Sequence, residues 1–386
     1  MSRIALIFPS VGRKMDGIAD HSLGLARALG QEGHEVTVIG AGPRSDALGD
    51  LSYEDGWPTG RLRDVSTVVD RASRADVYLV QFEQFSYGRR GFNPEFSNMI
   101  RLVKKANPVA QSIVYFHETY AYPKNFRHAI MFAYQRRQAI QLAKSASTVL
   151  FTCRMGMARL GRFNPESWVV PVHENIPVIE AAPEPLRPAG DAVRVMVFGN
   201  LESRRAKLIR DAFAEIEGAV PTAELWYVGR DSRRARELVS GESILRVWAE
   251  AEPAKVSELM KLVDLALSPF PDGISGRRGS FAALMKHAVP TVTNLGRFSD
   301  DYLRVAAACG AFVLTSDEDF AKESARLAKD ADRLKRTSRA AGRAFQFVPS
   351  LAASVGAVEA AMSRYVPSVV DGGAATPAES EVGRGH

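Results

Sequence analysis

Two adjacent arginines in a glycine-rich loop carry the first chemical signal of this chain. The segment SPFPDGISGRRGSF, residues 268–281, sets Arg277 and Arg278 just before the apolar periodicity that runs from Phe281 to Met285. A helix start has unpaired N–H groups and partial positive charge, so two cations placed there make a seat for an anion. Gly279 and Ser280 would add backbone N–H groups, with Ser275 alongside. The plainer alternative is a solvated basic turn before an ordinary helix. A second signal follows the apolar run SIVYF, which ends in His117 and Glu118. An imidazole at a strand end can align a substrate or exchange a proton with it, and Glu118 could orient it or cap the next turn. A third follows Gly199, where Arg204, Arg205 and Lys207 open a helix; Arg205 and Lys207 either meet a ligand or belong to a solvated basic face, and Arg204 is expected at the surface. Near the start, Gly17 permits close backbone approach, and Asp20 either meets a ligand or caps the helix expected over 21–32.

Elements able to hold these residues are legible in the pattern. Short β-rich runs alternate with helical stretches: RIALIF, HEVTVIG, DVYLVQF, SIVYFH, STVLFT and WVVPV in the first half, then VRVMVFG, AELWYVG, ILRVW, LVDLALSPF, PTVTN and AFVLT in the second. Runs apolar on both faces and separated by helices predict parallel sheets covered on both sides. A chain of 386 residues exceeds what one core serves, so two domains are expected. The reading is an α/β chain of two doubly wound Rossmann-like halves facing across a cleft. Residues 1–180 form the half expected to take an acceptor, 181–192 (AAPEPLRPAGDA) a linker and 193–348 the half expected to take a nucleotide. A helix over 349–365 is expected to pack back on the first half, and 366–386 is expected to be a disordered tail. Open α/β sheets bind ligands at the carboxyl ends of their strands, which here would share one cleft.

Composition narrows the classes. Hydrophobic residues at 46% and charged residues at 24% suit a soluble globular protein. Cys153 and Cys309, the two cysteines, are far apart and lack metal-type spacing, so a disulfide framework and a zinc site are not expected. The opening MSRIALIFPS lacks the regions of a signal peptide, and no apolar run reaches the ~18 residues of a membrane span. A cytoplasmic protein is expected. The net charge of +6 is unevenly spread: residues 101–144 hold eight Lys or Arg and one acidic residue, Glu118, with aromatics interleaved. That segment is either a solvated basic face or a contact with an anionic membrane surface, at the inner face of the membrane. No nucleic-acid-binding module is present.

Six segments in order carry a likeness. DGIADHSLGLARALGQEGHEVTVIG (16–40), ADVYLVQFE (75–83), VYFHETY (114–120), VPVHENIPV (170–178) and VMVFGNLESRRAKLIRDAF (195–213), together with the arginine loop, resemble GT-B glycosyltransferases of the retaining, metal-independent family 4 type. The likeness runs to about residue 365. It implies a glycosyltransferase that moves a sugar from a nucleotide diphosphate, UDP or GDP, to a hydroxyl on a glycan or lipid-linked acceptor. It implies no metal and no resident cofactor, with His117, Asp20 and Glu118 at the reacting sugar. Gly17, Arg205, Lys207, Ser275, Arg277, Arg278, Gly279 and Ser280 would hold the donor. The family's two glutamates, with seven residues between them, would fall at Ser275 and Ala283, and the arginine after its donor-half glycine is Asn200 here. Two other classes stay open: a GT-B relic that binds sugar nucleotide or glycan without turnover, and another two-Rossmann enzyme such as a sugar-nucleotide epimerase.

Overall fold

The computed structural model describes residues 1–11, 16–123, 125–179, 192–344 and 350–364. Its strands form two sheets, each parallel. The first contains β1 (Arg3–Ile7), β2 (Glu35–Gly40), β3 (Ser52–Asp55), β4 (Val77–Phe82), β5 (Gln111–Phe116), β6 (Thr148–Phe151) and β7 (Ser167–Val169), in the spatial order β3-β2-β1-β4-β5-β6-β7. The second contains β8 (Arg194–Phe198), β9 (Glu224–Val228), β10 (Ile244–Trp248), β11 (Leu265–Leu267), β12 (Thr291–Asn294) and β13 (Val313–Thr315), in the order β10-β9-β8-β11-β12-β13.

Central strands read as continuous apolar runs because both faces are covered. Every residue of β4 and β5 is buried. Successive side chains alternate between two cores: Ala5 and Ile7 of β1 join one, Ile4 and Leu6 the other. β3 has no apolar run to announce it. Its residues Ser-Tyr-Glu-Asp are partly exposed at the sheet edge, where a polar strand also discourages pairing with another chain.

The first helix runs from Gly17 to Gln31, four residues earlier than expected. Asp16 is its cap, accepting from the Ile18 and Ala19 N–H groups at 3.0 and 3.2 Å. The capping reading of Asp20 is therefore corrected: Asp20 lies inside the first turn. The last described helix, Leu351–Ser363, sets Val355, Val358 and Ala361 into the first half's core beside Leu23 and Leu25. The expected linker, apart from Ala192, and the expected tail lie outside the described residues. No described helix is long and apolar enough to cross a membrane.

Candidate functional site

The carboxyl ends of both sheets open on one cleft of about 2060 Å³. Its second-half wall is built by the loop between β11 and the helix Gly279–Lys286. That loop is pinned to the first half: Val172 N–H donates to Gly276 O at 2.8 Å, and the Asp300 carboxylate accepts from Gly276 N–H at 2.7 Å and Arg154 N–H at 2.9 Å. A Cβ on Gly276 would sit 2.6 Å from the Thr152 carbonyl oxygen, so only glycine fits.

The two arginines on this loop differ. Arg277 donates from Nη1 to Glu118 Oε1 at 3.1 Å and from Nη2 to Asp272 Oδ2 at 3.3 Å. Arg278 has no hydrogen-bond or carboxylate partner among the described residues; its guanidinium rests 4.7 Å from the Phe270 ring centroid. Burial, then the neighbouring Arg277 charge, pulls its pKa down to about 9, which leaves it protonated at neutral pH. Arg278 is also the residue preceding the helix, and no described acceptor takes the N–H groups of Gly279 or Ser280. A free cation, two free N–H groups and a helix start thus face the cleft together.

Arg205 is buried and lines the same cleft, but it shapes the backbone. Its Nη1 donates to Asn200 O at 2.5 Å and its Nη2 to Phe198 O at 2.8 Å, clasping the turn in which Gly199 adopts φ +99°. Arg204 also lines the cleft and pairs with Asp317 at 2.6 Å. Lys207 does not reach it; it pairs with Asp211 one turn along its own exposed helix face. Ser275, within the loop, is buried, and its Oγ has no partner among the described residues. Ala283 is fully buried among Met196, Phe198 and Ile176, where a carboxylate would have neither water nor a counter-charge, so the family's second glutamate has no room in this core.

On the first-half wall, His117 is 5% exposed and its Nε2 meets Gln81 Oε1 at 2.6 Å. Gln81, fully buried at the end of β4, orients the imidazole and leaves Nδ1 without a partner among the described residues. Glu118 does not orient His117. It reaches across the cleft to Arg277, and Gln84 Nε2 donates to its other oxygen at 3.0 Å. His117 packs edge-on to His21, ring centroids 4.9 Å apart, and His21 stacks on His173 at 4.2 Å. Burial drives all three toward the neutral form: His117 falls to about 3, His173 to about 4, and His21 well below the usual histidine value. Two carboxyls move the other way. Burial raises Asp20 to about 6, and burial, then the Glu118 charge, raises Glu83 to about 7. Asn175 Nδ2 lies 3.5 Å from Asp20 Oδ2. Gly17 lines the cleft with open space where a Cβ would project.

Sequence reasoning missed several cleft residues. Glu174 forms an ion pair with Lys286 across the two halves, and Arg159, Tyr122 and Phe298 form a further bridge. Among the described residues, no group of three or more His, Cys, Asp or Glu is placed to hold a metal ion.

No family model matches the sequence, and no curated protein matches it. The fold is widely shared. The structure of Anabaena Alr3699/HepE in complex with UDP-glucose superposes with a TM-score of 0.67 at 14% identity, covering 95% of this chain and 100% of that one. WaaG, a glycosyltransferase involved in lipopolysaccharide biosynthesis, gives 0.61 at 14% identity over 91% of this chain and 99% of its own. Sucrose-phosphate synthase from Thermosynechococcus elongatus gives 0.66 at 13% identity over 94% and 100%. With two parallel α/β sheets facing across a cleft, the chain has the GT-B fold of these glycosyltransferases.

Proposed function

We propose that this chain is a glycosyltransferase that moves a sugar from a nucleoside diphosphate to a hydroxyl acceptor. Arg278 carries the reading: a partnerless cation at a helix start, beside the free N–H groups of Gly279 and Ser280, suits a diphosphate. The glycosidic bond to phosphate breaks, and the leaving oxygen gains the charge that this seat receives. The acceptor oxygen bonds to the same face of the sugar carbon, and the acceptor proton passes to the leaving phosphate, so configuration is retained. Arg277 and Arg278 supply the positive charge that a metal would otherwise bring. His117, held by Gln81, offers Nδ1 to a sugar hydroxyl, and the open space at Gly17 admits the donor close to the backbone. UDP-sugars are the first donors to try, since HepE was solved with UDP-glucose, with GDP-sugars next.

The place of action we propose is the cytoplasm, at the inner membrane face. The helix Phe126–Ser145 exposes Phe126 (80%) and Ile130 (54%) beside the exposed Arg127 and Arg137, a pattern suited to anionic lipid and to lipid-linked acceptors. Co-sedimentation with anionic vesicles tests it, and equal recovery with neutral vesicles would refute it. The absent glutamate pair favours one rival, a sugar-nucleotide binder without turnover. Incubation with UDP- and GDP-sugars in EDTA separates the two. Release of nucleoside diphosphate is expected to continue under chelation; binding without release would favour the binder, and neither would refute both.

A further inference from the structure

We infer that the acceptor carries an anionic group, a carboxylate or a phosphate on a sugar, and that Arg159 and Arg297 receive it. The assignment rests on the transferase reading, because it concerns the acceptor side of the same cleft. Arg159 stands on the short helix after β6. Its guanidinium carbon lies 4.8 Å from the ring centroid of Tyr120, 4.4 Å from that of Tyr122 and 5.2 Å from that of Phe298. Nη1 is occupied, donating to Thr119 Oγ1 at 3.0 Å and to the Tyr120 carbonyl at 3.3 Å. Nη2 is buried, and among the described residues it has no acceptor and Arg159 has no carboxylate partner. A covered N–H without a partner is costly, so a ligand that supplies an acceptor there would relieve that cost.

The second cation comes from the opposite half. Arg297 lies 3.9 Å from the Tyr122 centroid and 4.5 Å from that of Phe298, and its ion-pair partner, Asp272, is 3.6 Å away and shared with Arg277. Two guanidinium groups around two aromatic faces match a ligand with both a sugar face and an oxyanion: the rings take the C–H face, the forks take the charge. Tyr122 is 40% exposed, in a segment with neither helix nor strand, and stacks on Phe298 with centroids 6.0 Å apart; an anion reaching Nη2 requires its ring to move aside. The subsite adjoins the donor seat. Phe298 is shared by Arg159 and Arg277, the latter 5.4 Å from its centroid, so an anion held here stands one ring's width from the proposed diphosphate seat.

Calorimetry of the full chain with methyl glucoside, methyl glucuronide and glucose 6-phosphate tests the assignment, and the two acidic probes tell carboxylate from phosphate. At least one acidic probe is expected to bind about tenfold tighter than the neutral one, the size of one charge-assisted pair. Arg159→Met should erase that preference, Arg159→Lys should retain only part of it, and Arg278→Met should leave it intact. Equal binding of all three probes by the unmodified chain would overturn the inference even if the variants fail to fold, as would no detectable binding of either acidic probe. A preference that survives Arg159→Met but is lost in Arg278→Met would overturn it too. UDP and GDP titrated into the same samples keep the two readings apart. In the unmodified chain, an acidic preference without nucleotide binding would sink the transferase reading, and nucleotide binding without an acidic preference would sink this subsite.

Discussion

The two walls of the cleft bury ionisable side chains with opposite results. On the second-half wall, Arg278 keeps its charge although burial lowers its pKa to about 9. On the first-half wall, His21, His117 and His173 stack among themselves, and burial leaves all three neutral. The same desolvation acts on both. A guanidinium starts so far above neutral pH that a drop of several units still leaves it protonated, whereas an imidazole starts within reach of losing its proton. Around Arg278 the cleft holds a fixed cation; around His117 and His173 it offers an uncharged polar patch that hydrogen bonds without attracting anions. Such a division suits a charged leaving group on one side and hydroxyl groups on the other.

The comparison breaks first at Arg278. Arg278→Ala should cost about 1.5–3 kcal/mol of nucleoside diphosphate affinity, while Arg277→Ala should cost less, because Glu118 and Asp272 already share its charge. Titration calorimetry decides it; equal losses would mean that the two arginines do not differ as their pairing suggests. His117→Ala should lower turnover about tenfold or more with diphosphate affinity unchanged, since the imidazole acts on the sugar and not on the phosphates. A variant as stable and as fast as the parent would remove His117 from the reaction.

Acid sharpens the contrast next. The unfolded chain protonates its histidines below about 6.5. The folded cluster stays neutral until about 4 or lower, so stability contributed by the histidines is present above 6.5 and lost as pH falls. Asp20 and Glu83 act in the opposite sense: their raised values stabilise the fold at low pH, and that gain is lost as pH rises through about 6 and 7. Three histidines against two carboxyls leave a net loss of stability as pH falls from about 6 toward 4. Urea unfolding at several pH values measures this slope, which should flatten in His21→Phe; stability rising steadily as pH falls would contradict the neutral cluster. The smallest effect is expected at Lys207. Lys207→Ala should change nucleotide affinity and stability by under about 0.5 kcal/mol, since its surface pair with Asp211 lies outside the cleft.

Much of the frame was legible because buried parallel strands must be apolar on both faces, and β4 and β5 are. β3 was not, since an edge strand of Ser-Tyr-Glu-Asp needs no apolar run. Prolines and glycines beside paired arginines announced the loop. Which arginine stays free was hidden, because Glu118, the partner that occupies Arg277, lies 159 positions away in the chain. Asp20 was misplaced by one helical turn because Asp16, equally able to cap, precedes it. Arg159 gave no local sign at all: its meaning depends on rings from Tyr120, Tyr122 and Phe298, which only the folded chain brings together.

The helix Leu351–Ser363 also governs the order of events during synthesis. It covers apolar side chains around Leu23 and Leu25, which leave the ribosome more than three hundred residues earlier. At ~5–20 residues per second, the roughly 180 residues between Val169 and Leu351 take about 10–35 s to translate. Throughout that interval the first sheet is complete while the lining of its outer helix is bare, a natural target for chaperones. Early termination anywhere before residue 351 would therefore injure the half of the protein that was made first.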